Sequence, residues 1–283
     1  MRNLFTNHKY YIPHKSFTLW LFGDVHAGIK SFDKQAFIRF LKEAEKSDNP
    51  YFLGMGDYLD FASFSSNKRL NSGDLHETEE EWIDTRVRRD VEEFADLIKP
   101  MQGRLIGMIG GNHQFKLQSG QTSDEYLCEL MKTKYLGWLS AINVLFETTG
   151  ETVKKSVKIF ACHGVGGGKL LGTSLNKLVD MQAIIPNCDI YAMGHDHQRM
   201  AVPKSTLMFR RAPNDVGFKL AKTRQFFVRT GSFQKSYVKD SSGFAQSKLM
   251  RPADIGAVRI NVSIDRDCTN YKDERSLKLE AVI

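Results

Sequence analysis

Five short apolar runs in this sequence each lead into a turn that carries potential metal ligands. The runs are FTLWLF (17–22), YFLGM (51–55), RLIGMI (104–109), VKIFAC (157–162) and DIYAM (189–193). The polar residues that follow them are Asp24, His26, Asp57, Asn112, His113, His163, His195 and His197. Imidazole and carboxylate groups are ligands of zinc, manganese and iron. So many donors exceed what one ion needs. They suit two ions that share a bridging carboxylate, the arrangement that clamps the attacking and leaving oxygens of a displacement at phosphorus.

These side chains can meet only if the apolar runs are neighbouring strands, and each run has the length and composition of a buried strand. Helical spacing is predicted between the runs, at 33–46, 77–98, 123–136 and 174–185. The third of these helices is predicted to begin at Ser123 as its N-cap and to stop at Gly137. Because strands and helices alternate, an α/β fold is predicted, and ligands bind beyond the carboxyl ends of the strands in such folds.

Two short motifs indicate how neighbouring ligands are arranged. Asp24 and His26 are two residues apart, and on an extended segment both side chains would point the same way. Asp196 lies between His195 and His197 and is free to face away from the site. One D-x-H or H-x-H pattern is weak evidence, but five polar clusters at five predicted strand ends indicate a metal centre.

In their order along the chain these motifs resemble the signature of the calcineurin-like metallophosphoesterase superfamily. The family pattern is D-x-H, GDxxD, GNH followed by an acid, H, and GHxH. The chain has Asp24-Val25-His26, Gly56-Asp57-Tyr58-Leu59-Asp60, Gly111-Asn112-His113-Gln114, His163 and Gly194-His195-Asp196-His197, and Gly231-Ser232 resembles a later family feature. The resemblance implies a four-layer αββα sandwich, in which two packed central β-sheets are flanked by helices.

The resemblance also implies a role for each residue. One divalent ion would be bound by Asp24, His26, Asp57 and His197, and a second by Asp57, Asn112, His163 and His195, so that Asp57 bridges the two. The catalytic residue His113 would lie over the leaving group, and Asp60 would orient it through a hydrogen bond. Manganese is the expected metal, with zinc, iron or nickel as alternatives. The implied reaction is hydrolysis of a phosphate ester by a hydroxide that bridges both ions.

Two positions depart from well-known members of the superfamily. Gln114 stands where an acid is usual, which affects the surroundings of the site rather than its ligands. Phe61 follows Asp60 where the protein Ser/Thr phosphatases have arginine, so the chain is expected to lie outside that branch. The segment HGVGGGK (163–169) resembles phosphoesterases common in phage and prophage genomes. Its glycine-rich part would either hold a phosphate oxygen or form a turn that clears the metals.

Positive charge is concentrated in one stretch, residues 198–240, which we call the basic segment. Of 40 basic and 33 acidic residues in the chain, it holds ten and two, so it carries +8 and the remainder carries −1. Such a segment attracts polyanions by charge and counterion release, and its interleaved phenylalanine and tyrosine residues would suit a single strand of DNA or RNA. The alternative is a solvated face without a partner.

Composition excludes several classes of protein. Hydrophobic residues make up 41% and charged residues 26% of the 283 residues, which is typical of a globular chain with a full core. No apolar stretch is long enough for a membrane helix, and the N-terminus has no secretory signal pattern. The four cysteines form no CxxC pair, which favours a reducing compartment, the cytoplasm of a bacterial or phage-infected host cell.

The sequence therefore predicts one phosphoesterase domain over 1–283, with a helical insertion near 62–100 and the basic segment. The predicted function is a phosphodiesterase, most specifically a nuclease that acts on DNA or RNA. The alternative is hydrolysis of a small nucleotide or other metabolite. The sequence leaves the oligomeric state open, and it predicts no association with a membrane.

Overall fold

A computed structural model describes residues 7–61, 77–147, 155–164, 170–211, 217–237, 249, 251–264 and 277–283. Two β-sheets pack face to face, and helices cover the outer face of each sheet. The predicted α/β fold and its αββα order of layers are confirmed. Within the described ranges, no helix is both long enough and apolar enough to cross a membrane.

The first sheet has a parallel centre and an antiparallel margin. Its centre consists of β2 (Phe17–Phe22), β3 (Pro50–Gly54) and β4 (Leu105–Met108). Strands β10 (Val258–Ile264) and β11 (Leu277–Val282) complete the order β11-β10-β2-β3-β4. Every residue of the three central strands is buried, because helices cover one face and the second sheet covers the other.

The second sheet has six described strands. They are β1 (Asn7–Ile12), β5 (Leu139–Phe146), β6 (Lys155–Cys162), β7 (Ile190–Met193), β8 (Arg199–Arg211) and β9 (Phe218–Thr230), in the order β1-β5-β6-β7-β9-β8. The sequence analysis did not predict β1 or β5. Only every second residue of β5 is fully buried, so this strand shows alternation instead of the continuous apolar run that identified the others.

Four helices are described, and they cover the sheets unequally. They are α1 (Lys34–Glu45), α2 (Glu77–Ile98), α3 (Ser123–Leu130) and α4 (Leu171–Ile184). Buried apolar side chains join the first three to the first sheet and the fourth to the second sheet. Of the predicted helical insertion, 77–98 forms α2, whereas 62–76 lies outside the described residues.

The third helix differs from its prediction at both ends. Thr122, not Ser123, is the N-cap: its hydroxyl accepts the Glu125 N–H, and the Glu125 carboxylate accepts the Thr122 N–H. The helix ends at Leu130, well before Gly137, because Lys132 adopts a left-handed φ of 51°. The chain then pairs with the margin of β4, where Met108 N–H donates to the Lys134 carbonyl.

The strands β2, β3, β4, β6 and β7 all end on one side of the sandwich, which we call the metal edge. Backbone hydrogen bonds tie the loops there to one another. Asp24 N–H donates to the Gly56 carbonyl at 2.9 Å, and Gly194 N–H donates to the His163 carbonyl at 2.8 Å. The two sheets also meet at this edge, since His195 N–H donates to Asp24 Oδ2 at 2.9 Å.

Strands β8 and β9 form a hairpin that begins and ends at the metal edge but extends past the sheet at the opposite end. Each strand has 13 residues, whereas β7 pairs with only four residues of β9, Phe226–Arg229. We call the part that extends past the sheet, 205–211 and 218–224, the hairpin arm. It carries four large exposed apolar side chains, Leu207, Phe209, Phe218 and Leu220, which are 58–76% exposed. The residues that join its two strands, 212–216, lie outside the described ranges.

Candidate metal centre

Five of the predicted ligands have a left-handed backbone. Asp24, His26, Asp57, His195 and His197 have φ between 46° and 73°. Residues other than glycine adopt this conformation at a cost of about 1 kcal/mol or more. It turns the chain sharply where each strand ends. The prediction that Asp24 and His26 lie on an extended segment is therefore wrong, although both side chains still reach one cluster.

At two glycines the backbone packs directly against the carboxylate of a predicted ligand. A Cβ on Gly111 would lie 2.1 Å from Asp57 Oδ1, and one on Gly194 would lie 2.7 Å from Asp24 Oδ2. Both distances are far inside van der Waals contact. A side chain at either glycine would therefore push a ligand out of place.

One group of donors consists of Asp24, His26 and His197. Their ligand atoms all lie within 4.8 Å of one another. His26 Nε2 is 3.2 Å from His197 Nε2, and His197 Nε2 is 3.5 Å from Asp24 Oδ1. Two imidazole nitrogens directed at each other beside a carboxylate form a donor set that a divalent cation satisfies.

A second group consists of Asp57, His163 and His195, again with ligand atoms within 4.8 Å of one another. Asn112 joins this group, since its Oδ1 lies 2.8 Å from His163 Nε2 and 3.0 Å from His195 Nδ1. His163 Nδ1 lies 2.8 Å from the Met55 carbonyl. Donation to that carbonyl leaves Nε2 as the ligand atom of His163.

Asp57 lies between the two groups. Its Oδ2 is 3.1 Å from His163 Nε2 in the second group and 3.9 Å from His26 Nε2 in the first. Its Oδ1 accepts the His113 backbone N–H at 3.0 Å. One carboxylate oxygen thus faces ligands of both groups, which is the position that the predicted bridging role requires.

The predicted catalytic pair, His113 and Asp60, lies beside the bridge. His113 Nδ1 is 2.8 Å from Asp60 Oδ1, and His113 Nε2 is 3.8 Å from Asp57 Oδ2. Asp60 Oδ2 is also 3.2 Å from His26 Nδ1, a contact that the sequence did not predict. Asp60 therefore orients one predicted ligand as well as the predicted acid.

Burial and neighbouring charges shift the pKa values of the residues at the metal edge in different directions. Burial raises the pKa of Asp24 to about 6. Burial opposes ionisation of Asp57 as well, but the hydrogen bond and charge of His163 hold its pKa well below the usual range. Burial and the nearby charge of His26 lower the pKa of His197. The site therefore presents an ionised carboxylate and a neutral imidazole, both in the form that binds a cation.

The pKa of His113 is raised, whereas that of His197 is lowered. Burial would lower the pKa of His113, but the hydrogen bond to Asp60 and the charge of Asp57 raise it above the ordinary value. Burial also opposes ionisation of Asp60, yet hydrogen bonds to His113 and His26 hold the pKa of Asp60 below its usual range. The contact with Asp60 therefore favours the protonated form of His113, the form that a general acid needs.

Arg229 is a functional candidate that the sequence analysis misplaced. The basic segment includes it, yet its side chain is 1% exposed. Its guanidinium donates to the Gly194 carbonyl at 2.8 Å and to the Ser174 carbonyl at 2.9 Å, and it lies 3.4 Å from Asp196 Oδ2. Asp196 does face away from the ligands, as predicted, and Arg229 is what it faces. This ion pair fixes the turn that carries His195 and His197.

Two further residues support the ligand loops from behind. Ser232 Oγ donates to the Asp24 carbonyl at 2.8 Å, which gives the Gly231-Ser232 motif a structural role. Asp124 is 3% exposed, and its Oδ2 accepts the Gly111 N–H at 2.8 Å. Burial raises the pKa of Asp124 to about 7. No motif pointed to Asp124, because it lies in the first turn of α3, where an acidic residue is ordinary, and its partner is the backbone beside Asn112.

The structure describes the surroundings of Gln114 but not those of the glycine-rich segment. Gln114 Oε1 is buried without a hydrogen-bond partner among the described residues, so it does not take over the role of an acid there. Asp124 places a carboxylate under the same loop. Residues 165–169 of the glycine-rich segment lie outside the described residues, so both interpretations of that loop stay predictions.

Fold and donor set together define a metal-dependent phosphoesterase with an αββα core. The chain belongs to the calcineurin-like phosphoesterase family, whose sequence profile matches residues 17–199, more than half of the chain. The family is dimetal-dependent, and the described groups of aspartate and histidine fit two divalent ions. No curated protein matches the sequence.

Solved structures of low sequence identity were also found. Vps29 of Chaetomium thermophilum is 12% identical with a TM-score of 0.35, over 94% of this chain and 97% of that chain. A conserved uncharacterized protein of Streptococcus pneumoniae, titled a predicted phosphoesterase, is 13% identical with a TM-score of 0.34, over 94% of this chain and 98% of that chain. The family assignment rests on the sequence profile and not on these two structures.

Proposed function

We propose that this protein is a dimetal-dependent phosphodiesterase and that its substrate is nucleic acid. The observation that carries the proposal is the position of Asp57 Oδ2, which faces the ligands of both donor groups, beside a histidine held by Asp60. That arrangement suits a phosphate whose attacking and leaving oxygens lie on opposite sides of phosphorus. Two bound ions would neutralise the charge of the phosphate and acidify a water molecule.

The chain's own residues complete the reaction. His113, whose protonated form is favoured by its contact with Asp60, donates a proton to the departing oxygen. Asp60 holds the ring of His113 in place and stabilises its positive charge. Arg229 keeps His195 and His197 on the site through Asp196 and the Gly194 carbonyl. The reaction consumes one water molecule and leaves a phosphomonoester and an alcohol.

Manganese is the proposed native metal, with zinc, iron or nickel as alternatives. The proposed ligands are nitrogen and oxygen donors. Cys162, next to His163 in sequence, points to Met181 Sδ at 4.0 Å. A donor set rich in carboxylate and imidazole suits manganese. We also propose a cytoplasmic location in a bacterial or phage-infected cell, consistent with Cys128, Cys162 and Cys188 being buried free thiols.

The nucleic-acid part of the proposal is supported by the basic segment. Lys222 and Arg224 are exposed on the hairpin arm, and Leu207, Phe209, Phe218 and Leu220 are exposed near them. Paired strand positions such as Phe209 and Leu220 share a face, so apolar and cationic groups lie on one side of the arm. Cationic grooves with aromatic side chains bind single strands by charge and stacking.

The direction of the arm sets a length requirement. Ten residues separate Arg199 at the metal edge from Phe209. At about 3.3 Å per residue they are about 33 Å apart along the strand. A nucleic-acid strand rises about 3.4 Å per nucleotide, so about ten nucleotides would be needed to contact both places.

The distance between the hairpin arm and the metal edge also favours the alternative substrate, a small nucleotide or other metabolite. A small substrate at the metal edge would not reach the arm, and the arm would then have no part in catalysis. The two functions therefore differ in how hydrolysis depends on chain length.

The experiment removes metals with a chelator, restores them one at a time and measures hydrolysis of a chromogenic phosphodiester, a phosphomonoester and single-stranded oligonucleotides of 4 to 20 nucleotides. We expect activity to return with manganese and kcat/KM on oligonucleotides to rise steeply near ten nucleotides. Activity on the diester with no dependence on oligonucleotide length would support the small-substrate alternative. If no metal restores hydrolysis of any ester, the enzymatic proposal fails.

A further inference from the structure

Trp138 lies at the rim of the candidate metal centre and is 40% exposed. Its indole ring is 5.4 Å from the His163 ring, centroid to centroid, with an angle of 76° between the planes. His163 in turn lies 5.2 Å from the His195 ring. An exposed tryptophan therefore lies directly against a member of the second donor group.

The backbone holds Trp138 in this position from both sides. Gly137 directly precedes Trp138, and its carbonyl accepts the Gly110 N–H at 2.9 Å. This hydrogen bond connects the Trp138 backbone to the loop that carries Asn112. The Trp138 carbonyl accepts the His163 N–H at 3.3 Å, and the next residue, Leu139, begins β5 opposite Cys162. The indole is thus attached to the two loops that carry ligands of the second group, so binding of a ligand would cost it little conformational freedom.

The edge-to-face contact with His163 uses only part of the indole and leaves a wide π surface towards solvent. What distinguishes Trp138 from the more exposed Trp82 is its place against His163, where its free face can cover a planar group bound beside the metal centre. Next to Trp138 the rim presents polar groups, the exposed Asn112 and the half-buried His195. A ligand that covers the indole and also reaches the cation that the second donor group would hold has a planar part next to an anionic part.

We propose that Trp138 is a stacking platform for the nucleobase attached to the scissile phosphate. This inference rests on the proposed function and adds a substrate contact to it. It makes Trp138 a specificity residue: it strengthens binding of esters that carry a base and takes no part in the chemistry at phosphorus.

The test compares two substrates with the same leaving group, thymidine 5′-(p-nitrophenyl phosphate) and methyl p-nitrophenyl phosphate. Water hydrolyses each to p-nitrophenol and a phosphomonoester, so they differ only in the base and sugar. Base stacking on an aromatic side chain is worth about 1–3 kcal/mol, hence Trp138→Leu should lower kcat/KM on the thymidine ester about 5- to 160-fold. It should leave the methyl ester unchanged within about twofold. Trp138→Phe should retain most of the preference.

Trp82 provides a matched control. It is 66% exposed on α2, and Trp82→Leu should change neither substrate. An equal loss on both esters in Trp138→Leu would overturn the proposal in favour of a structural role beside His163. No loss on either ester would overturn it as well. Both results leave the hydrolase assignment intact.

Failure of the hydrolase proposal can be recognised separately. If the wild-type protein hydrolyses neither ester, stacking is measured as quenching of tryptophan fluorescence by thymidine 5′-monophosphate. Quenching that disappears in Trp138→Phe and persists in Trp82→Phe would support the platform, and the reverse pattern would overturn it. Binding of an oligothymidylate against its abasic analogue then distinguishes the base of a polymer from that of a free nucleotide.

Discussion

The metal edge and the hairpin arm share the strands β8 and β9 but have opposite environments. Arg229 and Arg224 lie five residues apart on β9. Arg229 is buried and holds Asp196 and the Gly194 carbonyl, whereas Arg224 is exposed and lies over the Phe226 ring at 5.2 Å. The basic segment is therefore not one surface. One described part of it builds the metal edge, and another forms the hairpin arm, which is directed away from that edge.

A count of charged residues does not distinguish a buried guanidinium from an exposed one. A buried guanidinium must have its hydrogen bonds and charge satisfied by the fold, so its removal is felt throughout the turn that it supports. An exposed guanidinium is screened by water and salt and contributes little to stability. Substitutions at the metal edge should therefore change catalysis and stability, while those on the arm should change only binding to a polyanion.

The largest expected effect follows Asp57→Asn. The substitution keeps the shape of the side chain but removes the charge shared by both donor groups, so metal content should fall and hydrolysis should drop by at least about 10³-fold. Metal analysis and turnover of a chromogenic diester measure this. Asp180→Asn on the exposed side of α4 is the control and should have no effect. Two metals and a near-normal rate in Asp57→Asn would contradict the bridging role.

His113→Ala should retain metal but slow hydrolysis by about 10²–10⁴-fold, the usual contribution of a general acid. The loss should be smaller for p-nitrophenyl esters, whose leaving group needs no proton, than for alkyl esters. Asp60→Asn should show a weaker form of the same pattern. An equal loss on good and poor leaving groups would mean that His113 acts in another way.

Arg229→Gln should lower the free energy of unfolding by about 3–5 kcal/mol, because Asp196 would be left buried without its charged partner. Metal bound by His195 and His197 should weaken as well. Chemical unfolding and metal titration measure the two effects. Arg224→Gln is the matched comparison, and a similar loss of stability there would remove the distinction between edge and arm.

Asp124→Asn should change how stability depends on pH. The pKa of Asp124 is about 7 in the fold and 3.8 when unperturbed. The unfolded chain therefore loses this proton first as pH rises, and the stability that Asp124 contributes below pH 4 is lost progressively up to about pH 7, by up to about 4 kcal/mol. Urea unfolding of chelator-treated protein between pH 5 and 8 should show a flatter profile for the variant. Parallel profiles would contradict this assignment.

The smallest effect on turnover and stability is expected for a variant in which four basic residues of the hairpin arm become glutamine. They are Arg210, Arg211, Lys222 and Arg224. Turnover of a small diester should stay unchanged, and stability should change by less than about 0.5 kcal/mol per site. Binding of a 20-nucleotide single strand should weaken, and the slope of log K against log salt should fall by about 0.7 for each phosphate that the variant no longer neutralises. If binding and slope both match the wild type, the arm is a solvated face.

The sequence predicted the central strands well because they are buried on both faces and end in a glycine turn with polar residues. β2, β3, β4 and β7 have this pattern, and β6 has it over Ile159–Cys162. The predicted ligands follow these strands. Strand β5 could not be found in the same way, since one of its faces is only partly covered. Trp138, which directly precedes it, was missed for the same reason.

Supporting residues were harder to predict, because their surroundings come from distant parts of the chain. Arg229 is buried by contacts with Ser174 and Gly194, which belong to other elements, and its neighbours in sequence give no sign of that. Asp124 resembles an ordinary acidic residue in the first turn of a helix. Its carboxylate accepts the Gly111 N–H from a neighbouring loop, and the helix pattern gives no sign of that contact.

The left-handed backbone of the ligands has a consequence for how this protein can change. At Asp24, His26, Asp57, His195 and His197, glycine would adopt the same φ without a steric penalty. Each predicted ligand therefore occupies a position where a residue unable to bind metal would suit the backbone better by about 1 kcal/mol. Mutants that tolerate heat better in the absence of metal should thus be found among inactive ones, and selection for stability alone would drive the chain away from catalysis.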